Sequence, residues 1–333
     1  MPKKHFKCVI FSWLLLLASL LLGSEILLLR SFRQITRRNP YIDEKSYDLH
    51  LMLITEDQNL SFWEDVHKGA LSVANAQSAA VEWRRANMSQ TESVAELIEI
   101  SGLCGLDGIL TCSSDDPNMK AAIDEASERG VPIFMLGSDI SDSLRKGYIG
   151  TDNYAAGKTV GSLLSEDNLD CKNAVLIGTD IAKENAGSDE FFIAGLKSAI
   201  YNMPHINLEY LDTGSTPFAV EALIREGSQG RREIDAVVCR SIEDTIICAN
   251  AVIENNLVGR IKIIGCNEDR TVLEYLEKGI VQAAITSDGE TIGKAAMESF
   301  LFLRENGWAN EFVPVETDVI TPENLPAYLA KYN

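Results

Sequence analysis

The chain is 333 residues long, 46% hydrophobic and 24% charged, with a formal charge of −19. That length accommodates two domains with well-buried cores, and the composition is that of an ordinary globular protein. A body this acidic repels phosphate backbones, which argues against nucleic acid as a partner.

The charge is unevenly distributed from the start. Residues 1–40 carry Lys3, Lys4, Lys7, Arg30, Arg33, Arg37 and Arg38 against Glu25 alone, a net +6, leaving −25 on the rest. Within that basic stretch Cys8 to Leu29 is almost wholly apolar over 22 residues, enough to cross a bilayer as one helix. The opening Met1 to Lys7 reads as the basic start of a signal sequence. No small-x-small cleavage site stands out near Gly23-Ser24, because Leu21 and Leu22 precede it. The expectation is an uncleaved signal anchor, hence a single-pass membrane protein. Three lysines precede the segment and four arginines follow it, so charge counting alone does not favour export of the body.

From Asp48 the chain alternates between short apolar runs and helical periodicity. Leu51–Ile54 predicts a strand, Phe62–Ala76 a helix, Leu106–Leu110 a strand, Met119–Arg129 a helix and Val131–Leu136 a strand. The alternation resumes from Ala174–Ile177 through Ile264, which implies parallel sheets covered on both faces. Seven cysteines are scattered without C-x-x-C spacing, and His5, His50, His67 and His205 lie apart, so neither a metal nor a redox site is indicated. No G-x-G-x-x-G follows the first strand, and no P-loop or G-x-S-x-G occurs, so catalysis is not expected and no cofactor is implied.

Two segments echo each other. Asp107-Gly-Ile-Leu leads in 30 residues to Gly137-Ser-Asp139, and Asp235-Ala-Val-Val leads in 30 to Gly265-Cys-Asn267. Two duplicated α/β lobes follow, with Asp139 and Asn267 at matching strand ends and Ser113 and Ser241 as a second pair, Arg240 beside the latter. In open parallel sheets ligands sit beyond the carboxyl ends of the strands, so the site is expected in the cleft between lobes.

The stretch Tyr148 to Leu164 joins the halves: an apolar pair, a tight Gly150-Thr151-Asp152-Asn153 segment, then a helix that Asp152 or Asn153 can cap. It resembles the inter-domain crossover of the type I periplasmic binding proteins, the ribose-binding-protein-like family, and the resemblance extends from Asp48 to the C-terminus. It implies two doubly wound parallel-sheet lobes joined by a three-strand hinge, preceded by the membrane helix. Residues 1–47 would be a cytoplasmic tip, anchor and linker; 48–151 plus 288–316 one lobe; 152–287 plus 317–333 the other. The body would then be extracytoplasmic. A related repressor would need a DNA-binding element where the apolar segment stands.

Carried over by position, the resemblance makes Phe62 and Trp63 stacking aromatics, and adds Ser138, Asp139, Glu190, Phe218, Asn267 and Ser287 to Arg240 as ligand contacts. It implies capture of a small polar, sugar-like solute for a sugar-type ABC importer permease. The alternative is a ligand-sensing subunit that signals to a membrane sensor kinase.

Overall fold

The chain crosses three times between two six-stranded sheets. The computed structural model describes residues 47–332 apart from 58, 87–91, 166–170, 180–187, 202, 204 and 215–217. The expected signal anchor at Cys8–Leu29 lies outside them; among the described residues no helix is long and apolar enough to cross a membrane.

The first sheet takes β1 (Leu49–Thr55), β2 (Ala79–Arg85), β3 (Gly108–Thr111), β4 (Ile133–Leu136) and β5 (Gly147–Thr151). The second takes β6 (Asn173–Gly178), β7 (Asn207–Asp212), β8 (Ala236–Cys239), β9 (Lys262–Cys266) and β10 (Ala283–Ser287). The last two strands then divide: β11 (Phe312–Val315) joins the first sheet and β12 (Thr317–Ile320) the second. The orders are β11-β5-β4-β3-β1-β2 and β12-β10-β9-β8-β6-β7. All pairings are parallel except that of β12 with β10. The chain therefore changes sheets after Thr151, after Ser287 and between Val315 and Thr317.

The central strands are apolar on both sides because helices cover both faces. In β1, Leu53 joins one cluster with Val66, Phe134 and Phe300, while its neighbour Ile54 joins another with Ile98, Ile123 and Met135. In β6, Val175 and Ile177 face one cluster and Leu176 the other. Burying each such side chain contributes roughly 1.5–3 kcal/mol. Edge strand β2 reads Ala79-Ala-Val-Glu-Trp-Arg-Arg85, too polar to register as an apolar run, which is why sequence pattern passes over it.

Helices α1 (Leu60–Ala74), α2 (Val94–Leu103) and α3 (Met119–Glu128) cover the first sheet; α4 (Asn153–Leu164) and α5 (Ser188–Ile200) begin the cover of the second. Further along come α6 (Ala219–Ser228), α7 (Ile242–Glu254), α8 (Arg270–Glu277), α9 (Gly289–Asn306) and α10 (Leu325–Leu329). Ser93 caps α2 through a capping box with Glu96. Of the two candidates at the crossover, Asp152 is the cap, its carboxylate accepting from the Ala155 N–H at 2.9 Å.

The helices that begin at two of the crossings, α4 and α9, are held by glycines. A Cβ on Gly69 of α1 would stand 2.0 Å from the Glu290 carbonyl oxygen, and one on Gly293 of α9 1.9 Å from that of Val66. The second lobe repeats the device: Gly157 of α4 lies against the Phe192 carbonyl and Gly195 of α5 against that of Tyr154, each at 2.0 Å for an added Cβ. Backbones this close leave no room for any side chain.

The internal repeat is real, but its offset differs from the 30-residue match. Asp107 accepts from His50 N–H at 2.8 Å, and Asp235 from Asn173 N–H at 2.8 Å. Beyond that, Gly137 N–H bonds Ile149 O and Asn267 N–H bonds Ile285 O, each one step past a strand end and each left-handed, at φ 72° and 64°. Asn267 is therefore the counterpart of Gly137, not of Asp139. Helix α7 has 13 residues where α3 has 10, and this lengthens the second copy.

Candidate functional site

A cleft of about 740 Å³ lies between the sheets, lined by Ser138, Asp139, Arg145 and Tyr148 on one side and by Asn153, Phe191, Arg240 and Asn267 on the other. Ser287 and Thr317, from two of the crossing strands, line it as well. Its strand-end loops are polar because backbone leaving a parallel sheet must find partners outside the ladder.

Two guanidinium groups face this space, and each is already paired. Arg145, its side chain only 6% exposed, grips Asp139 with both fork nitrogens, Nη2 donating to Oδ2 at 2.6 Å and Nε to Oδ1. Across the cleft, Arg240 Nε donates to Asp189 Oδ1 at 2.9 Å and Nη2 to Asn153 Oδ1 at 3.3 Å. The Arg240 guanidinium also lies 3.9 Å over the ring of buried Phe192, a cation–π contact that fixes its plane. Among the described residues that line the cleft, an entering anion would meet no cation without a carboxylate beside it.

Hydroxyls complete the polar set. Ser113 Oγ donates to Ser138 Oγ at 2.6 Å, tying the β3 and β4 ends together. At the hinge, Thr151 and Ser287 hydroxyls share a hydrogen bond at 2.8 Å, and the Thr317 hydroxyl is buried without a partner among the described residues. Tyr148 donates to Gly137 O at 2.9 Å. Burial, and secondarily the Asp139 charge, pushes its phenol up to about 12, so it remains a donor at neutral pH.

Of the residues expected to touch ligand, Ser138, Asp139, Arg240, Asn267 and Ser287 line the cleft; Phe62, Trp63, Glu190 and Phe218 do not. Trp63 is 8% exposed and belongs to the first-lobe core, with Phe62 packed edge-on against it at 4.9 Å. Burial of apolar area accounts for the position of both rings. Glu190 is exposed beside Asp189, the partner of Arg240, because one residue at a helix start turns the side chain by about 100°. Phe218 is 75% exposed just ahead of α6.

The aromatic faces that line the cleft are others. Phe312 on β11 stacks on Tyr148 with centroids 5.3 Å apart and planes 16° from parallel. Tyr154 and Phe191 contribute from the second lobe. Phe312 and Tyr148 meet across a pairing 164 residues long in sequence, with no local signal to announce it. Arg145 sits in an irregular loop, equally unannounced. Among the described residues no group of three or more His, Cys, Asp or Glu is disposed to hold a metal ion.

Two parallel-sheet lobes, three crossing strands and a polar cleft at the strand ends define a binding protein of the hinged two-lobe kind. The chain belongs to the periplasmic binding protein family: the family profile described as periplasmic binding protein domain matches residues 51–304. Among solved structures it is similar to GanP, a glucose-galactose binding protein from Geobacillus stearothermophilus, at 23% identity and TM-score 0.68. It is also similar to a sugar ABC transporter sugar-binding protein from Bacillus halodurans at 20% and 0.72, and to the XylFII–LytSN complex at 25% and 0.66. Each alignment covers 84% of this chain and 99% of the other. No curated protein sequence matches.

Proposed function

We propose that the protein captures a neutral sugar in the inter-lobe cleft and delivers it to a sugar-type ABC importer from the outer face of the membrane. The cleft itself carries the reading: both arginines are charge-paired, hydroxyl and amide groups converge, and aromatic faces flank them. Such a lining suits a hydroxyl-rich, uncharged solute with flat apolar faces. The glucose-galactose and sugar-transporter relatives support the same solute class.

The lobes in this reading are 48–151 plus 288–316 and 152–287 plus 317–333, and closure about the three crossings completes the site. Ligand touching both lobes stabilises the closed state by its differential affinity for it. Cys8–Leu29 holds the body as an uncleaved anchor, and binding rather than catalysis is its task. A second reading, a sensing subunit for a membrane kinase, is favoured by the likeness to XylFII, solved in complex with LytSN.

A thermal-shift screen of the purified chain against aldoses, polyols, amino acids and amines tests the ligand class. A neutral sugar should raise the melting temperature in a concentration-dependent way. A shift produced only by amines or amino acids overturns the reading. Protease added to intact cells stripped of their wall should digest the body from outside; complete protection would place it on the other side. Capture of a permease or of a kinase ectodomain from membranes separates the two partners.

A further inference from the structure

Phe191, Phe312 and Tyr154 line the cleft yet are 64%, 43% and 42% exposed. Large rings left this open in a monomer are unusual inside a polar cleft, since their burial is a main source of binding energy. Tyr148 stacks on one face of the Phe312 ring, which is still 43% exposed. It sits on edge strand β11, beyond β5, whereas the polar groups gather at the ends of β4, β8 and β9 and at the hinge. The cleft thus has a hydrogen-bonding part and an aromatic part. Its volume, about 740 Å³, lies in the upper half of the range that accommodates drug-sized ligands.

We propose that the cleft accepts two linked sugar rings, a disaccharide rather than a monosaccharide, the second ring gripped between Phe312 of one lobe and Phe191 of the other. The first ring takes the hydroxyl, amide and arginine contacts of the polar part. The second presents its flat C–H face to Phe312, and closure brings Phe191 onto the opposite face. Both rings are on opposite sides of the hinge, so this grip forms only in the shut state and adds to the free energy of closure.

The proposal rests on the sugar-binding reading, and one calorimetric series separates them. The full-length chain is titrated with free hexoses and pentoses and with disaccharides built from the same rings. The expected result is a disaccharide bound at least about tenfold more tightly than its own monosaccharide, the size of effect one added stacking contact supplies. Phe312→Ala and Phe191→Ala should each reduce that ratio to within about twofold of one. Equal affinity for both sizes, or a ratio that survives both substitutions, overturns the second-ring site while leaving sugar binding standing. No response to sugars of either size overturns the sugar reading along with it.

Discussion

Arg240 is held by Asp189, Asn153 and the face of Phe192 at once, and each contact needs a feature that lysine lacks. The guanidinium is planar and offers several donors in one plane. Arg240→Lys should therefore fail to restore what Arg240→Ala removes. The alanine variant leaves Asp189 uncompensated behind the cleft-lining Arg240 position, and sugar affinity should fall about 10- to 100-fold, the range for a lost charge-assisted hydrogen bond; an unchanged dissociation constant would remove Arg240 from the site. The cysteines give a second test at this scale. Cys104 is exposed, whereas Cys112 and Cys239 are buried. Burial pushes the Cys112 thiol up to about 11, while contact with Cys248, and then burial, holds Cys239 well above the usual thiol range. Thiolate is the reactive form, so native alkylation near pH 8 should label Cys104 readily and spare Cys112 and Cys239 until denaturant is added. Mass spectrometry of the labelled peptides reads this directly.

At the scale of elements, the α1–α9 and α4–α5 pairs decide how the crossings are anchored. Each brings a carbonyl of one helix onto a glycine of the other, reciprocally. Gly293→Ala or Gly195→Ala must push two helices apart, and the unfolding free energy should drop by about 1–3 kcal/mol, the cost typical of overpacking. Urea denaturation measures it; a neutral result would mean that the helices slide freely. The α1–α9 pair also carries an exposed charge cluster. Glu290 lies 2.8 Å from Lys68 and 2.7 Å from Lys294. Those two lysines hold its carboxyl down at about 2, against an ordinary value of 4.5. A depressed carboxylate contributes stability above its unfolded value and loses it as the pH falls through the folded one. The small melting-temperature deficit of Glu290→Gln at pH 7 should thus vanish between pH 4.5 and 2. Exposure to solvent and salt keeps the effect small.

For the whole molecule, Lys331 is the clip between lobes. It sits in the tail that follows α10 on the second lobe, 3.1 Å from Glu268 of that lobe, and reaches Asp65 of α1 on the first at 3.2 Å. Burial raises the Glu268 carboxyl above its ordinary range, with Lys331 pulling the other way. Lys331→Ala removes the opposing cation, so Glu268 rises further. A raised carboxyl keeps its stability below the unfolded value of 4.5 and loses it as pH climbs through the folded one. The variant should be less stable by about 0.5–1 kcal/mol at pH 7, as for a partly exposed ion pair, and the difference should shrink below pH 4.5. A deficit independent of pH would remove Glu268 from the account.

Much of this organisation is legible in the residues. Apolar runs spaced by amphipathic helices are enough to specify parallel sheets with both faces covered. The Asp107 and Asp235 starts mark the repeat because each carboxylate bonds the neighbouring strand. Asp152 caps its helix through a group three residues away, which is why it reads locally. Among the residues that line the cleft, Asn267 was legible from its place at a strand end and Ser138 from the family resemblance. What the sequence could not decide is the direction of a side chain whose fate depends on distant segments. Trp63 stands where the sequence suggested a ligand contact, and Phe312 where nothing local marks one. Only the assembled lobes bury the first in a core and leave the second stacked on Tyr148 at the cleft, because hydrophobic burial is non-directional and is settled by whichever surfaces the fold brings together.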